Sequence, residues 1–260
     1  MRVGLIGHSG FLGQAFLEIL SAENEVICYQ KGDYLEVLDK CDVIVNANGN
    51  SSKILAEQDP MADFLANALF TLEVSLFTTN RQMFLIHISS GEASEGTRKN
   101  EKSTYQTNSL INLSNYGLSK AIGEILVQKY ANRWLIIRPS GLIGPGMKKG
   151  PIFDLLHEQL VWIDENSKLS LMRTSTTAKI TTELLRYHLT TGVENQTYDV
   201  VSKVPLTLKE IAKFLKKELK IRPEAPTISP AETEPILIDS VELPTTIAEL
   251  THFMKEYSFD

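Results

Sequence analysis

The chain has 260 residues, is 43% hydrophobic and carries a formal net charge of -6 at pH 7, which fits one large α/β domain or a domain with a smaller lobe. The acidic balance without a long basic run disfavours nucleic-acid binding, and two cysteines in no CxxC arrangement, Cys28 and Cys41, argue against a disulfide framework and a zinc site. Because the N-terminus lacks a signal-peptide layout and no apolar run approaches the roughly 20 residues that span a bilayer, we expect a cytoplasmic protein with no membrane partner.

Short apolar strands alternate with helices along the first half of the chain. The residue pattern predicts strands at 3–6, 25–29, 42–46, 83–88 and 134–137, and helices at 11–20, 60–77 and 116–130. Few residues separate the second and third strands, so the helix between them is expected to be very short or missing. This alternation predicts a parallel sheet that is covered by helices on both faces.

The pattern becomes less regular after residue 139, where glycines and prolines mark a loop. Beyond this loop the sequence predicts helices at 152–163 and 177–189 and a strand at 197–201. Capping-box patterns at Thr207 to Glu210 and at Thr246 to Glu249 predict two further helices, the first of which is expected to run to residue 219. We therefore divide the chain into a main domain at 1–145 and a smaller lobe at 146–260 that is interleaved with it.

A glycine-rich turn follows the first predicted strand and opens the first helix. Gly7, Gly10 and Gly13 form a GxxGxxG pattern in this context. Glycines let such a turn tighten and let backbone amides approach a pyrophosphate at the helix N-terminus. The turn predicts a dinucleotide site, although glycines can also serve turn geometry alone.

The end of the second strand predicts which dinucleotide is bound. NAD-specific proteins usually carry an acid at this place, which contacts the adenosine ribose. Here the strand ends in Gln30 and Lys31, and Lys31 could pair with a 2′-phosphate, which favours NADP over NAD. A lysine at a strand end can also be merely solvated. Asp33, two residues on, could meet the adenine or the ribose.

Tyr116 and Lys120 are four residues apart on a predicted helix and therefore share one face. A lysine ammonium beside a phenol lowers the pKa of the tyrosine, which makes Tyr116 a candidate general acid or base. The spacing also arises by chance, but two upstream features give it weight. One is the glycine turn, and the other is the pair Ser89-Ser90 at the end of an apolar strand.

Taken in order, these motifs resemble the short-chain dehydrogenase/reductase superfamily. The likeness is to its extended branch, the NAD(P)-dependent sugar-nucleotide epimerases, dehydratases and reductases. The segments that carry it are the glycine turn, 42–47, 87–90, Tyr116 with Lys120, 138–146 and 197–211, which together cover essentially the whole chain. The segment Ala56 to Pro60, before a long helix, resembles the dTDP-4-dehydrorhamnose reductase group in particular.

The resemblance implies a Rossmann-like, doubly wound parallel sheet of the α/β class with a small C-terminal substrate lobe, the domain at 1–145 binding NAD(P). It implies that Ser90 holds the reacting oxygen, that Tyr116 donates or accepts the proton, and that Lys120 lowers the tyrosine pKa and holds the nicotinamide ribose. The cofactor-binding residues that it implies are Gly7, Ser9, Gly10, Phe11, Leu12, Gly13, Gln30, Lys31, Asp33, Asn46, Ala47, Lys120, Arg138 and Pro139. It also implies a homodimer, formed through helix 60–77 and the Tyr116 helix, and a nucleotide-activated sugar as substrate.

Several positions depart from the family pattern. Gly91 and Glu92 stand where sugar-nucleotide dehydratases carry Asp-Glu, which counts against dehydration. Gly141 replaces a polar residue near the substrate, and 174–177 replace paired aspartates. Two alternatives therefore stay open: an NAD(P)-binding regulatory or scaffold protein with little catalysis, and a reductase of a non-nucleotide carbonyl compound. His87 is interpreted as a satisfied core histidine, and no histidine spacing suggests a metal site.

Overall fold

The computed structural model describes residues 1–30, 32–94, 110–139, 141–193, 195–230, 236, 238 and 240–257. The strands are β1 (Arg2–Ile6), β2 (Glu25–Tyr29), β3 (Val43–Asn46), β4 (Phe84–Ile88), β5 (Trp134–Pro139), β6 (Leu142–Ile143), β7 (Lys168–Leu169), β8 (Met172–Arg173), β9 (Gln196–Val200) and β10 (Leu206–Thr207). The helices are α1 (Phe11–Ser21), α2 (Lys53–Gln58), α3 (Pro60–Asn80), α4 (Asn115–Tyr130), α5 (Pro151–Leu156), α6 (Thr174–Thr191), α7 (Leu208–Leu215) and α8 (Thr246–Glu256).

The chain forms two compact units. The first contains 1–139 and 178–200, and the second contains 140–177 and 201–260. The first segment of the first unit therefore ends before residue 145, and a later segment, 178–200, also belongs to this unit. The reason is that β9 pairs in parallel with β5 and completes the sheet.

A six-stranded parallel sheet in the order β2-β1-β3-β4-β5-β9 is the centre of the first unit. This confirms the α/β class and the doubly wound architecture. Strand β1 pairs with β2 on one side and with β3 on the other, so the strand order reverses beside β1. In such sheets a ligand crevice opens outside the carboxyl ends of the strands at this switch point. The loops after β1 and β3 border that crevice.

Among its described residues, the connection from β2 to β3 contains one 3-10 turn, Leu35–Leu38, in place of a crossover helix. This confirms the prediction that the helix here is very short or missing. Leu35 and Leu38 bury their side chains in a core cluster with Cys41 and Ile44. Two leucines and a cysteine therefore supply apolar cover at a place where a crossover helix is usual in this fold.

Helix α3 is longer than the sequence predicts and contains a π-helical segment, Leu65–Leu69. Asp59 begins it by accepting a hydrogen bond from the Ala62 amide at 3.0 Å, with Pro60 at the first helical position. The helix packs against α4. By length and composition alone α3 could cross a membrane, and 44% of its apolar window is buried within the fold.

The second unit has short elements, and backbone conformation explains where its helices end. Helix α5 ends at Leu156 instead of 163 because Glu158 adopts a left-handed φ of 58°. The predicted capping box of α7 is present, but Lys216, with φ 53°, ends this helix before residue 219. Helix α8 is capped by Thr245, one residue before the predicted Thr246, because the Thr245 side chain accepts from the Ala248 amide.

Candidate active site

The glycine turn joins β1 tightly to α1. Gly7 has a φ of 83°, and its carbonyl accepts from the Gly10 amide at 2.9 Å. A Cβ on Gly13 would lie 1.9 Å from the Gly7 oxygen, so this position requires glycine. Helix α1 has Gly10 as its N-cap and no side-chain capping bond, which leaves amides at its N-terminus available to an anion.

The end of β3 lies against the glycine turn. A Cβ on Gly7 would lie 2.7 Å from the Ala47 carbonyl and 2.8 Å from the Asn48 amide nitrogen. Asn46 is fully buried at the end of β3, and its side-chain oxygen accepts from the Asn48 amide at 3.3 Å. The structure therefore brings the predicted residues Asn46 and Ala47 to the same edge of the sheet as Gly7.

The end of β2 reaches the same turn. The side-chain amide nitrogen of Gln30 lies 3.5 Å from Nε2 of the His8 imidazole. Asp33 folds back on the strand end, since its carboxylate accepts from the Gln30 backbone amide at 2.9 Å and its carbonyl accepts from the Tyr29 hydroxyl at 2.8 Å. Lys31, on which the NADP preference rests, lies outside the described residues.

The remaining predicted cofactor residues of the turn are Ser9, Phe11 and Leu12. The Ser9 carbonyl accepts from the Gln14 side chain at 3.3 Å. Phe11 and Leu12 open α1, with Leu12 buried. Ser9 therefore lies in the turn after β1, and Phe11 and Leu12 lie at the start of α1.

Ser90 and Tyr116 meet across the sheet edge. Helix α4 begins one residue before Tyr116, because Ser114 caps it by accepting from the Gly117 amide at 3.1 Å. The Tyr116 side chain is buried, and the Ser90 side chain is near enough to its hydroxyl to influence its pKa. Burial raises the pKa of Tyr116 to about 12, Ser90 lowers it, and the charges of Glu92 and Asp63 raise it.

Lys120 is also buried, and its ammonium group donates to the carbonyl of Ile88 at 3.1 Å. Burial lowers the pKa of Lys120 to about 8, while the charges of Asp63 and Glu124 act to raise it. Lys120 is not among the groups that shift the pKa of Tyr116. The lowering of the tyrosine pKa that helical spacing predicts is therefore not seen, because desolvation of the phenol dominates.

Sequence reasoning missed a buried polar group beside Lys120. The side-chain nitrogen of Asn67 donates to Asp63 at 2.9 Å and to the hydroxyl of Ser119 at 3.0 Å. Asn50 donates to the same Asp63 oxygen at 2.7 Å. A signal was available in the sequence, because Asp63 and Asn67 are polar residues four apart on a predicted helix and therefore share one face.

Two further residues differ from their predicted surroundings. Arg138 lies at the end of β5, next to Pro139. Its guanidinium donates twice to the buried carboxylate of Glu124, at 2.8 and 2.6 Å, so its side chain forms an ion pair with Glu124. His87 is buried as predicted, and burial together with Lys120 holds its pKa well below the usual value. It is not satisfied, however, because its Nε2 finds no hydrogen-bond partner among the described residues.

A family model described as the RmlD substrate binding domain matches residues 1–245. The chain belongs to this family. The match spans both compact units, which explains why the resemblance reaches into the C-terminal segment. No curated protein sequence matches the chain.

Solved structures share the fold over nearly the full length. A dTDP-4-dehydrorhamnose reductase from Bacillus anthracis in complex with NADP is 18% identical, with a TM-score of 0.75 and 98% of each chain covered. The corresponding reductase from Yersinia enterocolitica is 16% identical, with a TM-score of 0.76 and 99% of each chain covered. A UDP-glucose 4-epimerase from Thermus thermophilus in complex with NAD is 20% identical, with a TM-score of 0.65, covering 100% of this chain and 95% of the other. These likenesses confirm the fold expected of the extended short-chain dehydrogenase/reductase superfamily.

Proposed function

We propose that the protein is an NAD(P)-dependent oxidoreductase that acts on a nucleotide-activated sugar. The observation that carries this proposal is the proximity of Ser90 to the buried Tyr116, with the buried ammonium of Lys120 one helical turn away on α4. These three groups lie at the carboxyl ends of the parallel strands, the edge that also carries the glycine turn. A hydroxyl donor pair beside a dinucleotide site suits the reduction or oxidation of an oxygen-bearing carbon.

The residues of the turn fit a dinucleotide. The uncapped N-terminus of α1 offers amides to a pyrophosphate, and glycine at residues 7 and 13 lets the turn pack tightly against neighbouring backbone. The nicotinamide ring of such a cofactor supplies or accepts the hydride when it is bound. The side chains of Gln30 and Asp33 would meet its adenosine end, Asn46 and Ala47 would border the crevice, and Lys120 would hold the nicotinamide ribose.

The proton chemistry is assigned to Tyr116. With a pKa of about 12 the phenol is protonated at neutral pH, so it is ready to donate a proton to the oxygen of a carbonyl that is being reduced. Ser90, near the same hydroxyl, would orient that oxygen.

The choice of substrate is supported by the family and by the names of the structural neighbours, which are nucleotide-sugar reductases and epimerases. NADP is slightly favoured as cofactor because Lys31 follows β2. The two alternatives, a dinucleotide-binding regulator and a reductase of another carbonyl compound, predict different results in the same assay.

The decisive experiment measures NADPH oxidation with a panel of nucleotide 4-keto sugars and simple carbonyl compounds. Tyr116→Phe keeps the ring but loses the proton, so turnover should fall by about 10²- to 10⁴-fold while NADPH binding is retained. The matched control is Tyr130→Phe, a half-exposed tyrosine at the end of the same helix. Unchanged turnover in Tyr116→Phe would refute the assignment, and NADPH binding without turnover of any compound would favour the regulator.

We also propose that the protein is a homodimer that pairs through α3. Met61, Leu65, Leu69 and Leu76 form a stripe on one face of α3 and are 70%, 50%, 53% and 43% exposed. Residues at this spacing share a helix face, and an apolar stripe exposed to water is typical of an interaction surface. The buried face of the same helix packs on α4, so the stripe remains available to a second copy.

A further inference from the structure

The carboxylate of Asp63 is buried in α3, with an exposed fraction of 1%. One oxygen, Oδ1, accepts from Asn50 at 2.7 Å and from Asn67 at 2.9 Å. The other oxygen, Oδ2, has no partner among the residues that the structure describes. Burying a carboxylate oxygen that has no hydrogen-bond partner lowers the stability of the fold. We therefore expect this carboxylate to have a function.

Asn67, which donates to Asp63, lies near the active-site lysine. The Asn67 amide nitrogen also donates to Ser119, the neighbour of Lys120 in the chain, at 3.0 Å. A Cβ on Gly49 would lie 2.4 Å from the Asn67 side-chain oxygen and 3.0 Å from the Lys120 ammonium. Glycine at this position therefore leaves room for both groups, and the Asn67 oxygen has no hydrogen-bond partner among the described residues.

We propose that Asp63 is a positioning residue whose buried negative charge holds Lys120 as an ammonium ion at the active site. The inference deepens the proposed function and rests on it for the task of Lys120, which is to hold the nicotinamide ribose. The charge state of Lys120 itself can be measured without substrate or cofactor.

The surroundings of Lys120 single out Asp63. Burial lowers the pKa of Lys120 to about 8, and among the groups that raise it Asp63 has the largest effect. Glu124, on the same helix, acts in the same direction but is paired with Arg138 from β5.

The other ionisable groups near the site do not supply this charge. His87 from β4 is neutral because burial and Lys120 lower its pKa, and Tyr116 keeps its proton because burial raises its pKa. Glu92, in the turn after β4, is paired with Lys53. Asp63 is therefore the negative group beside Lys120 whose hydrogen bonds come from neutral amides.

The test is an NMR titration of Lys120 in protein carrying ¹³C-labelled lysine, with the signal assigned by Lys120→Arg. Asp63→Asn keeps the shape and the hydrogen-bond acceptor but removes the charge, and it should increase the ionisation constant of Lys120 about tenfold or more. Asp59→Asn is the matched control, because it removes an exposed carboxylate from the start of the same helix and keeps the cap. It should leave the titration unchanged.

A second readout is the affinity for NADPH, followed by its fluorescence between pH 6 and 9. If only the ammonium form binds, a tenfold change in the ionisation constant predicts about fivefold weaker binding by Asp63→Asn at pH 8, and little difference at pH 6. A structural role alone would weaken binding equally at all pH values. Asp63→Ala removes the charge in a different way and decides the question if Asp63→Asn does not fold.

An unchanged Lys120 titration in a folded Asp63 variant would overturn the inference. Absence of NADPH binding by the unaltered protein at every pH would instead overturn the proposed function. The lysine titration decides the effect of Asp63 in that case too, so the two failures are distinguishable.

Discussion

Burial of Lys120 makes a prediction about stability that needs no substrate. The pKa of this lysine falls from 10.5 to about 8 in the folded protein. The unfolded chain therefore binds more protons between these two values, and the contribution of Lys120 to stability rises as pH increases from 8 to 10.5. A lowering of the pKa by this amount corresponds to a change of about 3 kcal/mol in the free energy of unfolding between pH 8 and 10.5.

The perturbation is Lys120→Met, which keeps the length of the side chain and cannot titrate. Its free energy of unfolding relative to the unaltered protein should fall by about 3 kcal/mol as pH rises from 7 to 10.5, since only the unaltered protein gains stability by losing this proton. Comparing the two proteins cancels the titration of groups that Lys120 does not affect, including Cys41, whose pKa burial raises to about 11.

Urea unfolding followed by circular dichroism at pH 7, 8, 9 and 10 measures the difference. Lys129→Met, which replaces an exposed lysine on the same helix, is the matched control and should track the unaltered protein at every pH. If the Lys120→Met and unaltered curves run parallel across this range, the ammonium is not desolvated as the structure indicates, and the reasoning is refuted.

Three further predictions follow from the same geometry. Gly13→Ala would place a methyl group 1.9 Å from the Gly7 oxygen, so we expect NADPH affinity to fall at least tenfold by fluorescence titration, and unchanged affinity would contradict the role of the turn. Gly49→Ala would place its Cβ 3.0 Å from the Lys120 ammonium, so the fraction of turnover lost should exceed the fraction of protein that is unfolded at the assay temperature. Equal fractions would indicate a purely structural site. Leu65→Glu puts a charge in the middle of the exposed α3 stripe, so sedimentation should detect monomer in place of dimer while the circular dichroism spectrum is unchanged.

Much of the fold could be predicted from local patterns. Strand β2 begins and ends where predicted, and the glycine turn lies between β1 and α1. These succeed because apolar periodicity and glycine geometry act over a few residues. Helix α5 ends at Leu156, earlier than predicted, because Glu158 adopts a left-handed conformation. Glu158 is not a glycine, so the sequence carries no strong signal for this conformation.

The candidate site was only partly predictable. The order of motifs identified Ser90, Tyr116 and Lys120 as candidates, and the structure brings all three to one edge of the sheet. The sequence did not reveal that Arg138 pairs with Glu124. Ion pairs of this kind join residues on different elements, and their partners are fixed only when helix and strand pack.

The sequence by itself therefore determined the family, the parallel sheet and the identity of the candidate proton-transfer residues, because each depends on residue types at short spacings. Tertiary structure alone decided the pKa values of these residues. Burial raises the pKa of Tyr116 and lowers that of Lys120, reversing the simple helical-pair argument. Asp63 and Asn67 on α3 come near Lys120 on α4 because the two helices pack together, and this packing joins residues far apart in the chain.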